Sequence, residues 1–311
     1  MKNHSLTRKP LSVRIRNELR RNWVLYLMVM PGLLLFFLFR YVPLYGIVMA
    51  FQNFDMVDGY FGSPWAGLQN FKNFFSDPYS WTLIKNTFIL GLYTLLFSFP
   101  APILFALFLN EMRDGKYKRT LQTISYLPHF IPVVVLVGIM YNLFGSSGTI
   151  NMILQFFGIE AQGFFTDPKW FRFMYIISDI WQTVGWGSII YMGALTSIDP
   201  TLYEAATIDG ATRFQKIWKI TLPCIAPTIS MMFILQCGKV MKVAFDKVLL
   251  MYSPATYEVS DILSTYTYRR GIVGMDYSYG AAVDLFNNVL CLALVLLSNY
   301  FSKRVGEDGI L

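Results

Sequence analysis

The sequence predicts an all-α membrane protein with six transmembrane helices, and its composition and its apolar runs are the observations that predict it. Of the 311 residues, 55% are hydrophobic and only 14% are charged, whereas a soluble domain carries about 25% charged residues. Six apolar runs have roughly the 17 to 25 residues that cross a bilayer as a helix. They lie at 23–42, 87–109, 124–144, 171–195, 225–245 and 281–301. No stretch shows the alternation of a membrane β-strand.

Lysine and arginine are concentrated in alternate connections, and this predicts the orientation of the chain. Segments 1–22, 113–119, 213–219 and 303–304 hold 16 of the 26 basic residues, and cytoplasmic connections carry such an excess. We therefore predict a basic cytoplasmic segment at 1–22, a membrane domain at 23–301 and a cytoplasmic tail at 302–311. Both termini would lie inside the cell. The net charge of +7 then reflects these anchors and not a nucleic-acid surface.

The predicted outer connections, 43–85 and 252–279, are rich in aromatic residues. Two interpretations stay open. The rings either form an interfacial belt at the lipid headgroups, or they belong to ordered segments that receive a partner protein.

One predicted cytoplasmic connection, 197–223, has the pattern of two short helices separated by a break. Asp199 suits the N-cap and Pro200 the first helical position, and Gly210 can adopt the left-handed conformation that follows a helix end. The second helix is expected to end at Pro223. Its apolar stripe consists of Phe214, Ile217 and Trp218. Such a helix pair outside the membrane is typical of a docking element.

The spacing within this connection resembles the EAA signature of binding-protein-dependent importer permeases. The matching residues are Glu204, Ala205, Ala206, Gly210, Ile220, Leu222 and Pro223. In that family the loop enters a cleft on a separate ATPase subunit, and the fold is the type I (MetI-like) permease fold. The resemblance implies ATPase-coupling roles for Glu204, Ala205, Ala206, Asp209, Gly210, Phe214, Ile217, Ile220 and Pro223.

Softer motifs at 41–46, 125–128, 245–248 and 268–269 are similar to the polysaccharide-type (LplB-like) branch of carbohydrate importer permeases. The resemblance implies a multi-pass protein of a bacterial cell membrane and a carbohydrate substrate. It also implies three kinds of partner: a second permease subunit in a heterodimer, two ATP-binding-cassette ATPase subunits and an extracellular solute-binding protein. ATP and magnesium would be used by the ATPase, because this chain has no G-x-x-x-x-G-K-[ST] phosphate loop.

Residues that could carry catalysis or bind a metal are not grouped in the sequence. His4 and His129 are isolated, and two isolated histidines make no metal site. Cys224, Cys237 and Cys291 are dispersed in or beside apolar segments, so we interpret them as small packing residues. We therefore expect neither an enzyme nor a cofactor bound by this chain.

Polar side chains inside the predicted spans are candidates for a substrate pathway, because such residues are costly in a bilayer unless they face a cavity or a partner. A helical spacing of about 100° per residue groups them into three stripes. The fourth span contributes Asp179, Gln182 and Trp186; the fifth Gln236, Lys239, Lys242 and Asp246; and the sixth Asp284, Asn287 and Asn288. The alternative is that these side chains only bond to neighbouring helices.

Lys239 and Lys242 favour an acidic oligosaccharide, such as one that bears uronates, over a neutral one. They could equally extend to the membrane surface or pair with Asp246.

Three other functions stay open: a permease for a non-sugar solute, an ATP-independent secondary transporter or channel, and a membrane-embedded glycan enzyme. A secondary transporter or channel would use Asp179, Lys239 and Asp284 as an ion relay, and it would need no docking loop. Secondary transporters usually contain an inverted repeat, and none is evident in this sequence. The third needs a carboxylate pair or a metal triad, and neither is evident.

Overall fold

The computed structural model describes residue 18 and residues 20–304, and this part of the chain is helical. The α-helices are α1 (Trp23–Phe36), α2 (Gly59–Gly62), α3 (Gln69–Ser76), α4 (Pro78–Tyr93), α5 (Pro100–Glu111), α6 (Lys116–Tyr126), α7 (Val133–Phe144), α8 (Thr149–Phe156), α9 (Pro168–Thr196), α10 (Pro200–Ile208), α11 (Arg213–Lys216), α12 (Leu222–Cys237), α13 (Phe245–Met251), α14 (Tyr257–Ser260), α15 (Leu263–Thr267) and α16 (Tyr277–Arg304). Most of the predicted basic segment and the end of the predicted tail, 305–311, lie outside the described residues.

Tighter or wider helical turns join several of these helices. The π-helical segments are Phe37–Tyr41, Thr94–Ser98, Ile217–Thr221 and Tyr268–Val273, and the 3₁₀ segments are Val42–Phe51, Leu127–Phe130 and Pro254–Thr256. An isolated antiparallel β-bridge joins Gln52 to Trp65.

Within the described residues, five helical runs are long and apolar enough to cross a membrane: Trp23–Phe51, Pro78–Glu111, Val133–Phe156, Arg213–Cys237 and Tyr277–Tyr300. The first is almost uncovered, since only 6% of its most apolar window is buried. So much apolar surface requires lipid or a protein partner around it. The predicted fourth span matches α9, whose 29 residues give about 43 Å of helix. This helix is less apolar and is not among the five.

The predicted third span, 124–144, is wrong in its first part. Helix α6 ends at Tyr126, a 3₁₀ turn follows at Leu127–Phe130, and α7 begins only at Val133. Ile131 is extended, with a ψ angle of 122°. The residue before a proline avoids the helical region and proline itself cannot donate a backbone hydrogen bond, so Pro132 accounts for the break.

The predicted fifth span, 225–245, is also interrupted. Helix α12 ends at Cys237, a turn occupies 238–244, and α13 starts at Phe245. The expected stripe through Gln236, Lys239, Lys242 and Asp246 is therefore wrong as a helix face. Gly238 begins the non-helical segment with a φ angle of −64°, and a Cβ atom there would lie 2.6 Å from a Val295 methyl carbon.

The expectation that Pro223 ends the second docking helix is wrong as well. Pro223 lies in the first turn of α12, where its missing N–H costs little. A π-helical segment, Ile217–Thr221, connects α11 to α12. One helical run therefore continues from Arg213 to Cys237.

Helix α9 lies at the centre of the packing. Along one half, its buried residues share a core cluster with α4, α7 and α13: Phe171, Met174, Leu90, Leu136 and Val248. Along the other half, they share a cluster with α5 and α12: Tyr191, Leu195, Ile103, Ala106 and Ile225. Cys237 and Cys291 are buried, as expected of packing residues, whereas Cys224 is exposed on the surface of this chain.

The predicted outer connections are ordered by a buried hydrogen-bond network. The Asp261 carboxylate, whose side chain is fully buried, accepts hydrogen bonds from Tyr79, Thr265 and Arg269. Asn86 in α4 donates to the Asp261 carbonyl over 3.1 Å. A buried charge is tolerated when it is paired and hydrogen-bonded. This end of the bundle therefore contains folded segments, while the reception of a partner protein there stays a prediction.

Candidate functional site

The predicted docking element is a compact pair of helices, α10 and α11. The Asp199 carboxylate accepts a hydrogen bond from the Thr201 backbone N–H over 2.9 Å and caps α10. This bond holds the pKa of Asp199 below its usual range. The cap therefore keeps its charge at neutral pH, and its contribution is lost only as the pH falls through that lowered pKa.

The break between the two helices has the predicted geometry. Gly210 has a φ angle of +76°, which confirms the left-handed conformation expected there. The Ala211 N–H donates to the Ala206 carbonyl over 2.9 Å, and the Gly210 N–H to the Thr207 carbonyl over 3.1 Å. Together these bonds form the Schellman pattern of a helix end.

Side-chain hydrogen bonds hold the two helices together and join the pair to the next helical segment. The Lys216 ammonium donates to the Thr207 hydroxyl across the break over 2.8 Å. The Tyr203 and Thr221 hydroxyls are 2.9 Å apart and join α10 to the π-helical segment. A displacement of the pair is therefore expected to move the start of α12 with it.

The surface of the pair is unusually apolar for a segment that is predicted to lie outside the membrane. Phe214 is 70% exposed and Trp218 59% exposed. Of the predicted coupling residues, Glu204, Ala205, Asp209, Gly210, Phe214 and Pro223 are exposed, and Ala206, Ile217 and Ile220 are half-buried. Ile208, which the sequence reasoning missed, is 87% exposed. An exposed apolar patch with a polar surround is the usual mark of a protein interface.

A second site is a cavity of about 340 Å³ between α4, α5, α9, α12 and the 238–244 turn. It receives four of the predicted pathway residues: Asp179, Gln236, Lys239 and Lys242. Lys239 and Lys242 are exposed, and neither forms an ion pair with another described residue. The turn, not a helix face, brings these two lysines to the cavity.

Asp179 has a buried partner that the sequence reasoning did not identify. The Lys247 ammonium lies 3.2 Å from the Asp179 carboxylate, and the Lys247 side chain is only 2% exposed. The same ammonium lies 5.4 Å from the centre of the Tyr175 ring. This pair connects α13 to α9 beside the cavity.

Two predicted residues of α9, Gln182 and Trp186, face a different neighbour. The Gln182 amide donates to the Ile131 carbonyl over 3.1 Å, next to the proline break before α7. The Trp186 ring stacks on His129, with centroids 4.7 Å apart and planes 1° apart. Neither residue lines the cavity, because the α9 positions that do so are spaced four apart from Tyr175 to Tyr191.

The remaining predicted residues also lie away from the cavity. Asp246 is exposed in the first turn of α13. Asn288 donates to the Asp284 carboxylate over 3.1 Å on an exposed face of α16, and Asn287 is buried. The structure thus does not bring Asp179, Lys239 and Asp284 together, as an ion relay would require. Within the described residues, no group of three or more His, Cys, Asp or Glu side chains could hold a metal ion.

Comparisons with known proteins identify the family. The family described as binding-protein-dependent transport system inner membrane component matches residues 102–307, about two thirds of the chain. The chain belongs to this family. The predicted family resemblance is therefore confirmed, and the permease is a membrane component of a transport system.

Two curated relatives match nearly the whole permease. It is 42% identical over 298 residues to the polygalacturonan/rhamnogalacturonan transport system permease protein YteP of Bacillus subtilis (strain 168), which covers 96% of this chain and 93% of that protein. It is 40% identical over 293 residues to protein LplB of the same organism, with 94% and 92% covered. The predicted branch is thus confirmed.

A solved structure confirms the fold. The permease superposes with a TM-score of 0.88 and 40% identity on a chain in the crystal structure of a bacterial alginate ABC transporter in complex with an alginate pentasaccharide-bound periplasmic protein. The match covers 96% of this chain and all of that chain. The all-helical permease fold is confirmed, while the number of crossings and the orientation of the termini stay predictions.

Several cavity residues of the permease were missed by sequence reasoning. They are Thr94, Ser98, Tyr175 and Tyr191. The i, i+4 spacing of Thr94 and Ser98 inside an apolar run is a signal that could have identified them. Lys247 had no such signal, because its burial depends on where α13 starts after the turn.

Proposed function

We propose that this permease forms the membrane pathway of an ATP-driven importer for acidic oligosaccharides. It would act in the cell membrane, together with a second permease subunit, two ATPase subunits that bind ATP and magnesium, and an extracellular binding protein. The observation that carries the choice of substrate is the cavity with Lys239 and Lys242 on its wall. Two cations that lack carboxylate partners in the described chain attract an anionic ligand.

The relatives support the same substrate class. Polygalacturonan and alginate, which appear in the names of the similar transporters, are both polymers of uronic acids. One carboxylate per sugar suits ammonium groups, while Gln236, Ser98 and Thr94 can bond to hydroxyls. The Tyr175 and Tyr191 rings, which are only 2% and 3% exposed, form the buried apolar part of the cavity wall.

The proposed mechanism is alternating access driven through the helix pair. The ATPase would bind the exposed surface around Ile208 and Phe214. The helical run from Arg213 to Cys237 is about 37 Å long, and Gln236 in its last turn lines the cavity. Motion of the docked pair would therefore be transmitted along one helix to the substrate site.

The lysines provide a direct test of the substrate class. The double variant Lys239→Gln, Lys242→Gln is expected to lower uptake of a galacturonate trimer about tenfold, because two attractive charges are lost from a partly desolvated site. Uptake is measured in proteoliposomes that contain the whole transporter and the binding protein.

The matched control is Arg113→Gln, Lys116→Gln, which removes two exposed cations away from the cavity and outside the predicted outer connections and should leave uptake unchanged. Unchanged uptake in the cavity variant, or a native transporter that imports only neutral glycans, would contradict the acidic substrate.

The docking surface gives a second prediction. Phe214→Asp is expected to reduce the ATPase that copurifies with the permease about tenfold, since a charge replaces an apolar contact at an interface core. Phe157→Asp serves as the control, because Phe157 is equally exposed, at 72%, but lies beyond α8. Equal ATPase recovery with both variants would count against docking at α11.

A further inference from the structure

Lys247 is a buried cation with one carboxylate partner. Its side chain is 2% exposed and its ammonium lies 3.2 Å from the Asp179 carboxylate, which is 17% exposed. Asp179 lines the cavity whereas Lys247 does not. The carboxylate therefore separates the buried ammonium from any ligand in the cavity.

An uncompensated carboxylate would be unfavourable at this place. Lys239 and Lys242 attract anions to the cavity, but a negative charge elsewhere on the same wall would repel these anions. A carboxylate is nevertheless a good acceptor for sugar hydroxyls. Asp179 can accept hydroxyl hydrogen bonds without repelling an anionic ligand only when a cation on its buried side neutralises its charge.

We infer that Lys247 is a positioning residue that cancels the charge of Asp179, so that this carboxylate accepts hydroxyl hydrogen bonds from an acidic glycan without repelling it. This inference rests on the proposed function. A lysine that does not touch the substrate would then determine how well the transporter distinguishes acidic from neutral ligands. A purely structural link between α9 and α13 would instead affect acidic and neutral ligands alike.

The geometry around the pair agrees with a fixed carboxylate. The Lys247 ammonium lies 3.2 Å from one Asp179 carboxylate oxygen and holds the carboxylate on its buried side. The Lys247 ammonium also lies near the Tyr175 ring, a favourable place for a desolvated cation. Asp179 is therefore held from behind while its exposed part faces the cavity.

The experiment compares three permeases in the whole transporter: native, Lys247→Met, and the double variant Asp179→Asn, Lys247→Met. Uptake of a galacturonate trimer and of its fully methyl-esterified form is measured at pH 8, where carboxylates are ionised, with the binding protein saturated by each glycan. Lys169→Met is the matched control. Lys169 forms an exposed ion pair with Asp167 at the start of α9, the helix that also contains Asp179.

Lys247→Met is expected to lower uptake of the acidic trimer about tenfold and that of the ester less than twofold. The double variant, which is neutral and of similar shape, should restore acidic uptake to within about threefold of native. Lys169→Met should change neither rate.

Equal losses for both glycans, no loss, or a double variant as impaired as Lys247→Met would each overturn the inference. The native transporter reports separately on the proposed function, because a preference for the ester there would reject an acidic substrate. The change in the acid-to-ester ratio between native and Lys247→Met would still decide the role of Lys247. Yield and thermal unfolding of each complex identify a variant that has failed to fold.

Discussion

Replacing Gly91 with valine is expected to reduce uptake to background. Gly91 lies in α4 on the cavity wall, where the 238–244 turn crosses it. A Cβ atom at this position would be 1.8 Å from the Val240 carbonyl oxygen and 2.8 Å from a Val240 methyl carbon. The obstacle is backbone, so no side-chain rotation relieves it. The turn, or α4 itself, has to move by an ångström or more.

The consequence reaches the proposed substrate cavity because Lys239 and Lys242 flank Val240 in the same turn. Forcing extra volume into a packed contact costs about 1–3 kcal/mol, and a backbone contact lies at the upper end of that range. We expect a lower thermal unfolding temperature of the complex together with the loss of uptake. Gly91→Ala should be impaired as well, because its single methyl group already meets the carbonyl.

Gly138→Val is the control, because it makes the same glycine-to-valine change in another helix. Gly138 lies in α7 and a Cβ atom there would meet no atom within 4 Å. A valine at this position should therefore leave uptake and thermal unfolding close to native. If Gly91→Val transports normally, the contact between α4 and the turn is not part of the working conformation.

The sequence predicted the parts of this protein that depend on local patterns. Apolar length located the long helices, although not all of their bounds, and fixed spacing located the helix pair. Gly210 was assigned to the left-handed region because few other residues suit that position. Each of these signals lies within a short stretch of chain, so no knowledge of tertiary contacts was required.

The cavity depended on contacts that no local pattern carries. An unbroken helix was assumed for the fifth span, so Lys239 and Lys242 were grouped with Asp246, which in fact lies outside the cavity. In α9 the predicted residues do share one side of the helix, but Gln182 and Trp186 face the proline break before α7 and not the cavity. That break was itself readable from Pro128 and Pro132 in the sequence. What could not be read was the neighbour that each face of α9 would meet.

Asp284, Asn287 and Asn288 illustrate the same limit for α16. They are polar and correctly spaced, yet two of them bond to each other on an exposed face and the third is buried apart from the cavity. Polar residues in a span indicate a contact that is not lipid. They do not indicate whether that contact is a substrate, another helix or a second subunit.

Gly210→Val is expected to reduce substrate-stimulated ATP hydrolysis about thirtyfold. The left-handed conformation costs an L-residue about 1–2 kcal/mol, and a β-branched side chain lies at or above the upper value. A Cβ atom at Gly210 would meet no atom within 4 Å, so the whole effect is conformational. The residue would relax toward φ below zero and change the angle between α10 and α11. A loss of about 2 kcal/mol in the competent geometry corresponds to about thirtyfold.

Gly210→Asn separates this cause from a general intolerance of side chains at the helix break. Asparagine adopts the left-handed conformation more readily than other non-glycine residues, so hydrolysis should stay within about threefold of native although its side chain is as large as that of valine. Both variants are compared by the amount of ATPase that copurifies with the permease and by hydrolysis in the presence of loaded binding protein. Equal losses in valine and asparagine would mean that the partner contacts Gly210 directly. Native behaviour of the valine variant would mean that coupling does not depend on the angle between α10 and α11.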